Sequence, residues 1–186
     1  MMRTTLRPAH ALMALAVALG CGAAQAANYS KTVLDGARED VKQAYKANKD
    51  ACDKMSGNAK DICVQEAKGL ENIALAWLDY NYSGTPGDQM KLNETIAESR
   101  YEIAKEKCDD RSGDAKDLCQ REAKTAYDKA KADAKLNKKV ADAMDDAERA
   151  RMKADYKLAA ERCSTLSGDR KDICVASAKA RYHESW

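Results

Sequence analysis

Phenylalanine is absent from this chain, and aromatic residues make up only 5% of it. Large apolar residues are few altogether, and alanine supplies most of the remaining hydrophobic content. Such a chain buries little apolar area per residue, so its core must be thin. Disorder would require a high net charge as well, whereas here the formal net charge is +2. The composition therefore predicts thin helical packing that covalent bonds reinforce, and the presence of only two prolines suits long helices.

Histidine and the common catalytic motifs are also scarce. The chain has two histidines, and His183 stands three residues from the C-terminus. No GxSxG, P-loop or GxGxxG motif is present. Repeated Lys-Asp pairs, such as Lys60-Asp61, could serve acid–base chemistry, but helix capping with solvated lysines explains them more simply. We therefore expect a protein that is not an enzyme and that needs no cofactor.

Residues 1–26 have the three regions of a signal peptide. Two arginines precede an apolar run of ten residues, Ala11 to Gly20, and Ala24-Gln25-Ala26 forms a small-x-small cleavage site. Cleavage after Ala26 would deliver a periplasmic or secreted chain of residues 27–186. The alternative, lipidation of Cys21, fits less well because Ala18 stands where the lipidation motif usually has leucine. No later stretch is apolar enough to span a membrane.

Removal of this leader cancels the small excess of basic residues. The whole chain has 32 Lys+Arg against 30 Asp+Glu, and Arg3 and Arg7 belong to the leader. The remainder is formally neutral, which argues against nucleic acid as a partner.

The chain contains three copies of one motif, C-x-x-x-S-G-[ND]-x-K-D-[IL]-C. The copies run over residues 52–63, 108–119 and 163–174, and a tyrosine lies seven residues before each first cysteine: Tyr45, Tyr101 and Tyr156. We assign repeats at about 31–82, 89–136 and 140–186 within a single helical domain. Six cysteines in an exported chain indicate disulfides, because structural zinc sites favour cysteines two to four residues apart. We therefore predict no metal site.

Each motif is interpreted as a helix–turn–helix. Its glycine suits the left-handed residue that ends a helix, the following Asn58, Asp114 or Asp169 suits an N-cap, and the next aspartate falls at the third helical position. The two cysteines lie nearly equidistant from the turn, so antiparallel arms bring them together. Each bond should stabilise by roughly 2.5–3 kcal/mol. The predicted pairs are Cys52–Cys63, Cys108–Cys119 and Cys163–Cys174.

The arms and connections complete the predicted fold. After the first turn, an apolar seam resembling that of a coiled coil is expected over Cys63, Ala67, Leu70, Ala74 and Trp77. The segment 83–88 breaks the chain between the first two repeats, with Asp88 as the next N-cap. Residues 114–167 contain no Gly or Pro. They form either one helix of about 75 Å or a helix that bends near Asn137, because the repeat register places a loop near 139–144. The fold class is all-α, with three stapled antiparallel hairpins in a bundle or an elongated array.

The second repeat, from Tyr101 to Lys124, has the form Y-x(6)-C-D-x-x-S-G-[ND]-A-K-D-[IL]-C-x-x-E-A-K. It resembles a family of small secreted proteins of Gram-negative bacteria, described as hypothetical or as TolA-like cell-envelope proteins. The third repeat departs from the pattern at Ser164, Arg170 and Ser177. The resemblance implies a location in the envelope and carries no established activity, substrate or site residues.

Two classes of function are consistent with these patterns. The first is a structural or interaction protein of the periplasm, such as an envelope scaffold or a chaperone-like protein, whose partner is another envelope protein. The second is a helical module that binds a small ligand or a metal. The densest aromatic patch, Trp77, Tyr80 and Tyr82, is either a small core beneath the adjoining loop or a docking surface for the partner. The oligomeric state is left open.

Overall fold

The computed structural model describes residues 30–182, and these residues form five helices without a strand. The all-α fold class is confirmed. The helices are α1 (Lys31–Cys52), α2 (Gly57–Ser83), α3 (Pro86–Asp109), α4 (Gly113–Cys163) and α5 (Asp169–Arg181). The proposed leader, Cys21 and His183 lie outside the described residues.

A disulfide closes the tip of each hairpin, and the pairs are those expected from the motif. The Cα atoms of Cys52 and Cys63 are 5.6 Å apart, and the other two pairs are separated by 5.7 and 5.6 Å. The first cysteine of each pair is among the most deeply buried side chains of the described structure. The sulfur bridges therefore occupy the centre of each tip, where a larger protein would place leucine or phenylalanine.

The tips differ from the expected turn in the role of the glycine. Gly57, Gly113 and Gly168 have left-handed φ angles of 59°, 56° and 59°, but they stand at the start of the second helix and not at the end of the first. The first helix ends in right-handed residues and a short turn, because the amide of Met55 donates to Cys52 O at 2.9 Å. The glycine then reverses the chain into the second helix, a conformation that other residues rarely adopt.

This shift also changes the positions of the polar residues that follow. Asn58 does not act as an N-cap, because its amide donates to Glu106 O at 2.8 Å and to Asp110 Oδ1 at 2.7 Å. Asp114 and Asp169 are not N-caps either, because Ser112 and Gly168 are the N-caps of α4 and α5 and both aspartates lie inside the first turn. Of the aspartates expected near the third helical position, Asp172 lies in the first turn of α5, whereas Asp61 and Asp117 lie beyond the first turns of α2 and α4.

The loop between α2 and α3 is capped by threonine. Thr85 is the N-cap of α3, and its hydroxyl accepts from the amide of Asp88 at 3.1 Å. Pro86 occupies the first helical position, where a missing N–H costs nothing. Asp88 was the expected N-cap, but it lies inside the first turn and accepts hydrogen bonds from Ser83 and Thr85. Gly84, with φ 65°, ends α2.

Helix α4 is continuous over 51 residues, so no loop forms near 139–144 and the alternative of one long helix is confirmed. Its length is about 75 Å at 1.5 Å per residue. Ion pairs one turn apart support its middle, between Lys138 and Asp142 and between Asp145 and Arg149. The third hairpin consists of the C-terminal end of α4 and the short α5. Helix α4 therefore supplies one arm to the second hairpin and one arm to the third.

The five helices form an elongated array and not a closed bundle, because each contacts only the helices that adjoin it in the chain. The core is thin, as expected: within residues 30–182, the buried apolar residues besides three cysteines are five alanines and two leucines. The expected seam on α2 is partly wrong. Ala67 is buried, but Leu70 and Trp77 are exposed, and Gly69 and Ala76 complete the buried set.

Small residues allow α2 and α3 to approach closely. A Cβ atom added at Gly69 would lie 3.1 Å from the Cβ of Ser99, which is itself buried. Near the tips, Lys107 forms an ion pair with Glu66 at 2.8 Å across the same two helices. This interface joins the first hairpin to the rest of the molecule.

Candidate functional site

The aromatic patch expected at the end of α2 is exposed, and its members do not share one side of the helix. Trp77 is 48% exposed and Tyr82 is 51% exposed, whereas Tyr80 is half-buried. Trp77 and Tyr82 are five residues apart in a continuous helix, which turns their side chains about 140° away from each other. The alternative of a small core beneath the loop is therefore not supported for Trp77 and Tyr82.

Trp77 shares its side of α2 with Leu70, one heptad earlier, which is 62% exposed. We name this surface, defined by Leu70, Trp77 and the adjoining Tyr80, the α2 face. Large apolar side chains exposed in this way on one helix form a surface that a partner could cover. The sequence pattern placed Leu70 and Trp77 in an internal seam because it could not show which side of α2 the neighbouring helices cover.

Polar contacts fix the helix on which the α2 face lies. Arg38 of α1 donates to Asp79 Oδ1 at 2.5 Å, and Lys91 of α3 lies 4.0 Å from the other oxygen of that carboxylate. The hydrogen bond to Asp79 raises the pKa of Arg38 above its ordinary value. Asn81 donates to Trp77 O at 2.7 Å and so stabilises the last turn of α2. The end of α2 is thus tied to both of its neighbours.

A second candidate site is a groove of about 500 Å³ between α3 and α4. Alanine supplies six of its thirteen lining residues, and these residues include Tyr101 and Tyr127, whose ring centroids are 5.1 Å apart in a stacked arrangement. Arg100, Asn93, Asp133 and Asn137 supply polar groups along the groove. A groove with apolar walls, a pair of aromatic rings and a few polar side chains is a common form of ligand site.

Lysines surround the stacked tyrosines. The Nζ atoms of Lys124 and Lys131 lie 5.5 and 5.1 Å from the centroid of Tyr127, and that of Lys105 lies 5.4 Å from Tyr101. A hydrogen bond with Tyr127 raises the pKa of Lys131. Sequence reasoning noted Tyr101 but missed Tyr127. The signal was available, because the two tyrosines lie nearly equidistant from the second turn, as the cysteines do.

The repeated Lys-Asp pairs serve the tips. Lys60 Nζ lies 3.0 Å from Asp53, and Lys116 Nζ lies 3.1 Å from Asp109, so each lysine bridges its turn back to the residue after the first cysteine. These lysines are not merely solvated, as the sequence had suggested. Lys60, and then Lys49, lower the pKa of Asp53.

The third tip lacks this bridge because Ser164 replaces the aspartate. The Ser164 hydroxyl donates instead to Glu161 O at 2.6 Å. The departure of the third repeat from the motif therefore has a local structural consequence, namely the loss of one ion pair across the turn.

The part of the chain that the structure describes contains no group of three His, Cys, Asp or Glu side chains placed to hold a metal ion. Its six cysteines are all in disulfides, which suit a non-reducing compartment. Among residues 30–182, no helix combines the length and the apolar character that crossing a membrane requires.

Comparison of the chain with family models, with curated proteins and with solved structures gave no match. The resemblance to secreted envelope proteins therefore stays a prediction from the repeat motif.

Proposed function

We propose that this protein is a non-enzymatic structural or interaction protein of the Gram-negative cell envelope, periplasmic or secreted, and related to the family that its repeat resembles. The observation that carries the proposal is the α2 face, where Leu70 and Trp77 are 62% and 48% exposed on a helix stapled at one end. The leader over residues 1–26 and the three disulfides support the compartment.

The chemistry of the α2 face suits a protein partner. Tryptophan is enriched among the residues that dominate binding energy at interfaces, and a leucine on the same side extends the apolar contact. The Cys52–Cys63 bond links one end of α2 to α1, and the Arg38–Asp79 contact links the two helices again near the other end. Rigid presentation reduces the entropy lost on binding. We propose an envelope protein with an apolar groove as the partner.

The test compares Trp77→Ala with Tyr82→Ala, an aromatic control of similar exposure on another side of the same helix. The full chain is exported with its own leader, cross-linked in cells and purified with its disulfides intact. We expect one envelope protein to be captured reproducibly, and its measured affinity for the purified chain to fall at least about tenfold with Trp77→Ala and to remain unchanged with Tyr82→Ala. If the captured protein bound the Trp77→Ala chain as tightly as the wild-type chain, the α2 face would not be the docking surface.

The second candidate function is the binding of a small ligand in the groove between α3 and α4. The stacked Tyr101 and Tyr127 with lysines on either side favour this alternative, and a planar anionic compound would suit them. A library of planar organic anions can be screened by the rise in melting temperature that a bound ligand causes. A hit that loses its effect in Tyr127→Ala but keeps it in Trp77→Ala would support this function, and the absence of any hit would count against it.

A further inference from the structure

A second exposed stripe runs along α4, on the side turned away from α3 and α5. The residues of α4 that are buried or half-buried include Tyr127, Ala134, Ala141, Met152 and Ala159, which lie on one side of the helix. Half a turn away lies a row of apolar and small residues, every one of them exposed. We name it the α4 stripe, and it comprises Ala132, Leu136, Val140, Ala143, Ala147, Ala150, Ala154 and Leu158.

The α4 stripe is about 39 Å long and includes a long run of exposed residues. Residues 143–151 are all exposed, and at the edge of the stripe Met144 is 68% exposed. Leu136 is 57% exposed, and Val140 and Leu158 are each 49% exposed. Successive residues of the α4 stripe are three or four positions apart, which is the spacing of a helix seam that packs against another helix.

The stripe from Val140 to Leu158, about 27 Å of its length, is complementary to itself when two copies run antiparallel, and Ala132 and Leu136 lie beyond the paired part. A two-fold axis between residues 148 and 149 sets Ala147 opposite Ala150 and Ala143 opposite Ala154, so the centre of the seam allows close approach. Val140 then lies beside Leu158 at each end. An interface of this kind uses the same surface on both chains, as closed dimers do.

The charges along α4 favour the same direction. Residues 142–148 carry four acidic side chains and no basic one, whereas residues 149–157 carry four basic side chains and one aspartate. Antiparallel copies place the acidic block of each chain beside the basic block of the other. Parallel copies in register place like charges together, which costs energy.

We propose that this protein forms an antiparallel two-fold dimer through the α4 stripe, with a second copy of the chain as its occupant. This dimer does not depend on the proposed function, since the α2 face and the groove between α3 and α4 are separate surfaces. A seam made mostly of alanine buries modest apolar area, so its dissociation constant belongs in the micromolar range.

The first test is the mass of the full chain in solution, measured by sedimentation equilibrium from about 1 to 500 µM with the disulfides intact. Ala147→Gln puts a long side chain into the closest part of the seam and should weaken dimerisation at least about tenfold. Ala176→Gln is the matched control, because Ala176 is exposed on α5. A wild-type chain that is monomeric over the whole range overturns the proposal, and so does a dimer that Ala147→Gln leaves unchanged.

The second test concerns charge and direction. Asp146→Lys and Lys153→Asp should each weaken the dimer, and the double variant should recover it, because Asp146 of one copy lies near Lys153 of the other on the same flank of the seam. Zero-length cross-linking should join Lys139 to Glu161, which lie about 33 Å apart along one helix and can meet only between antiparallel copies. Failure of the double variant to recover dimerisation, or a dimer that yields cross-links only between equivalent regions, refutes the antiparallel arrangement. So does finding that the stripe is covered by a different protein while the chain stays monomeric.

Discussion

Replacement of both cysteines in one hairpin by alanine should destabilise the three hairpins in different ways, although the three loops are identical in length. Each bond joins residues separated by 11 positions. The chain-entropy relation gives about 2.8 kcal/mol for a loop of this size. Alanine is the better replacement than serine, because Cys108 is fully buried and an unpartnered hydroxyl would add a penalty of its own.

The consequences differ because the neighbours differ. The central pair, Cys108–Cys119, joins α3 to α4, and α3 also packs on α2, so its loss should lower the stability of the whole central array. Helix α5 contacts only α4 and has 13 residues, which is marginal for a helix without tertiary support. Loss of Cys163–Cys174 should therefore unfold α5 alone.

Urea unfolding followed by far-UV circular dichroism, without reductant, separates these outcomes. We expect the central variant to lose about 2–3 kcal/mol of unfolding free energy and its midpoint to move to a lower urea concentration. The Cys163→Ala/Cys174→Ala variant should keep the main transition and lose part of the helix signal before urea is added. An unchanged midpoint in the central variant would refute the reasoning, since it would mean that the sparse core holds the tip without its bond.

Three further predictions concern the helix interface and the α2–α3 loop. Gly69→Leu should lower the free energy of unfolding by roughly 1–3 kcal/mol in thermal unfolding, because the leucine side chain would enter the α2–α3 contact. Gly36→Ala, in open space on α1, should raise the free energy of unfolding by about 0.5–1 kcal/mol. Thr85→Ala removes the N-cap of α3 and should cost about 1 kcal/mol in urea unfolding; a change below about 0.3 kcal/mol would contradict this role. Hydrogen bonds from Ser83 and then Thr85 lower the pKa of Asp88 below its ordinary 3.8, so the stability that its carboxylate contributes is present above 3.8 and is lost as the pH falls further. Asp88→Asn should remove that part of the acid dependence of the melting temperature and leave the rest.

Much of the fold follows from the sequence because it depends on local spacing. Two cysteines placed nearly symmetrically about a glycine turn meet when the arms fold back, and this reasoning gave the three pairs without any tertiary information. The thin core follows from composition alone, since a chain without phenylalanine and rich in alanine has little large apolar surface to bury. The prediction of helices follows from the three- and four-residue spacing of the apolar residues.

Other features depended on tertiary arrangement or on the balance of small energies. The repeat register suggested a loop near 139–144, yet α4 continues because residues 114–163 contain no Gly or Pro to end it, and ion pairs one turn apart reinforce it at several places. Leu70 and Trp77 were assigned to a seam, but a periodic stripe does not show whether a neighbour covers it. In an open array each helix has fewer covered sides than in a bundle, so apolar periodicity marks exposed surfaces as well as internal ones.

The open array also explains why this protein combines staples, small residues and exposed apolar stripes. A helix that contacts only its chain neighbours gains little from burial, so its position must be fixed by bonds, caps and close contacts between small side chains. The disulfide tips, Thr85 and the Gly69–Ser99 contact each do this at a different place along the chain. Because these devices need few large apolar residues, several of those on α2 and α4 are left for surfaces, among them Leu70, Trp77 and Leu136. Their exposure is thus a consequence of how the fold is held together, and it gives the α2 face and the α4 stripe as two independent places where another chain can bind.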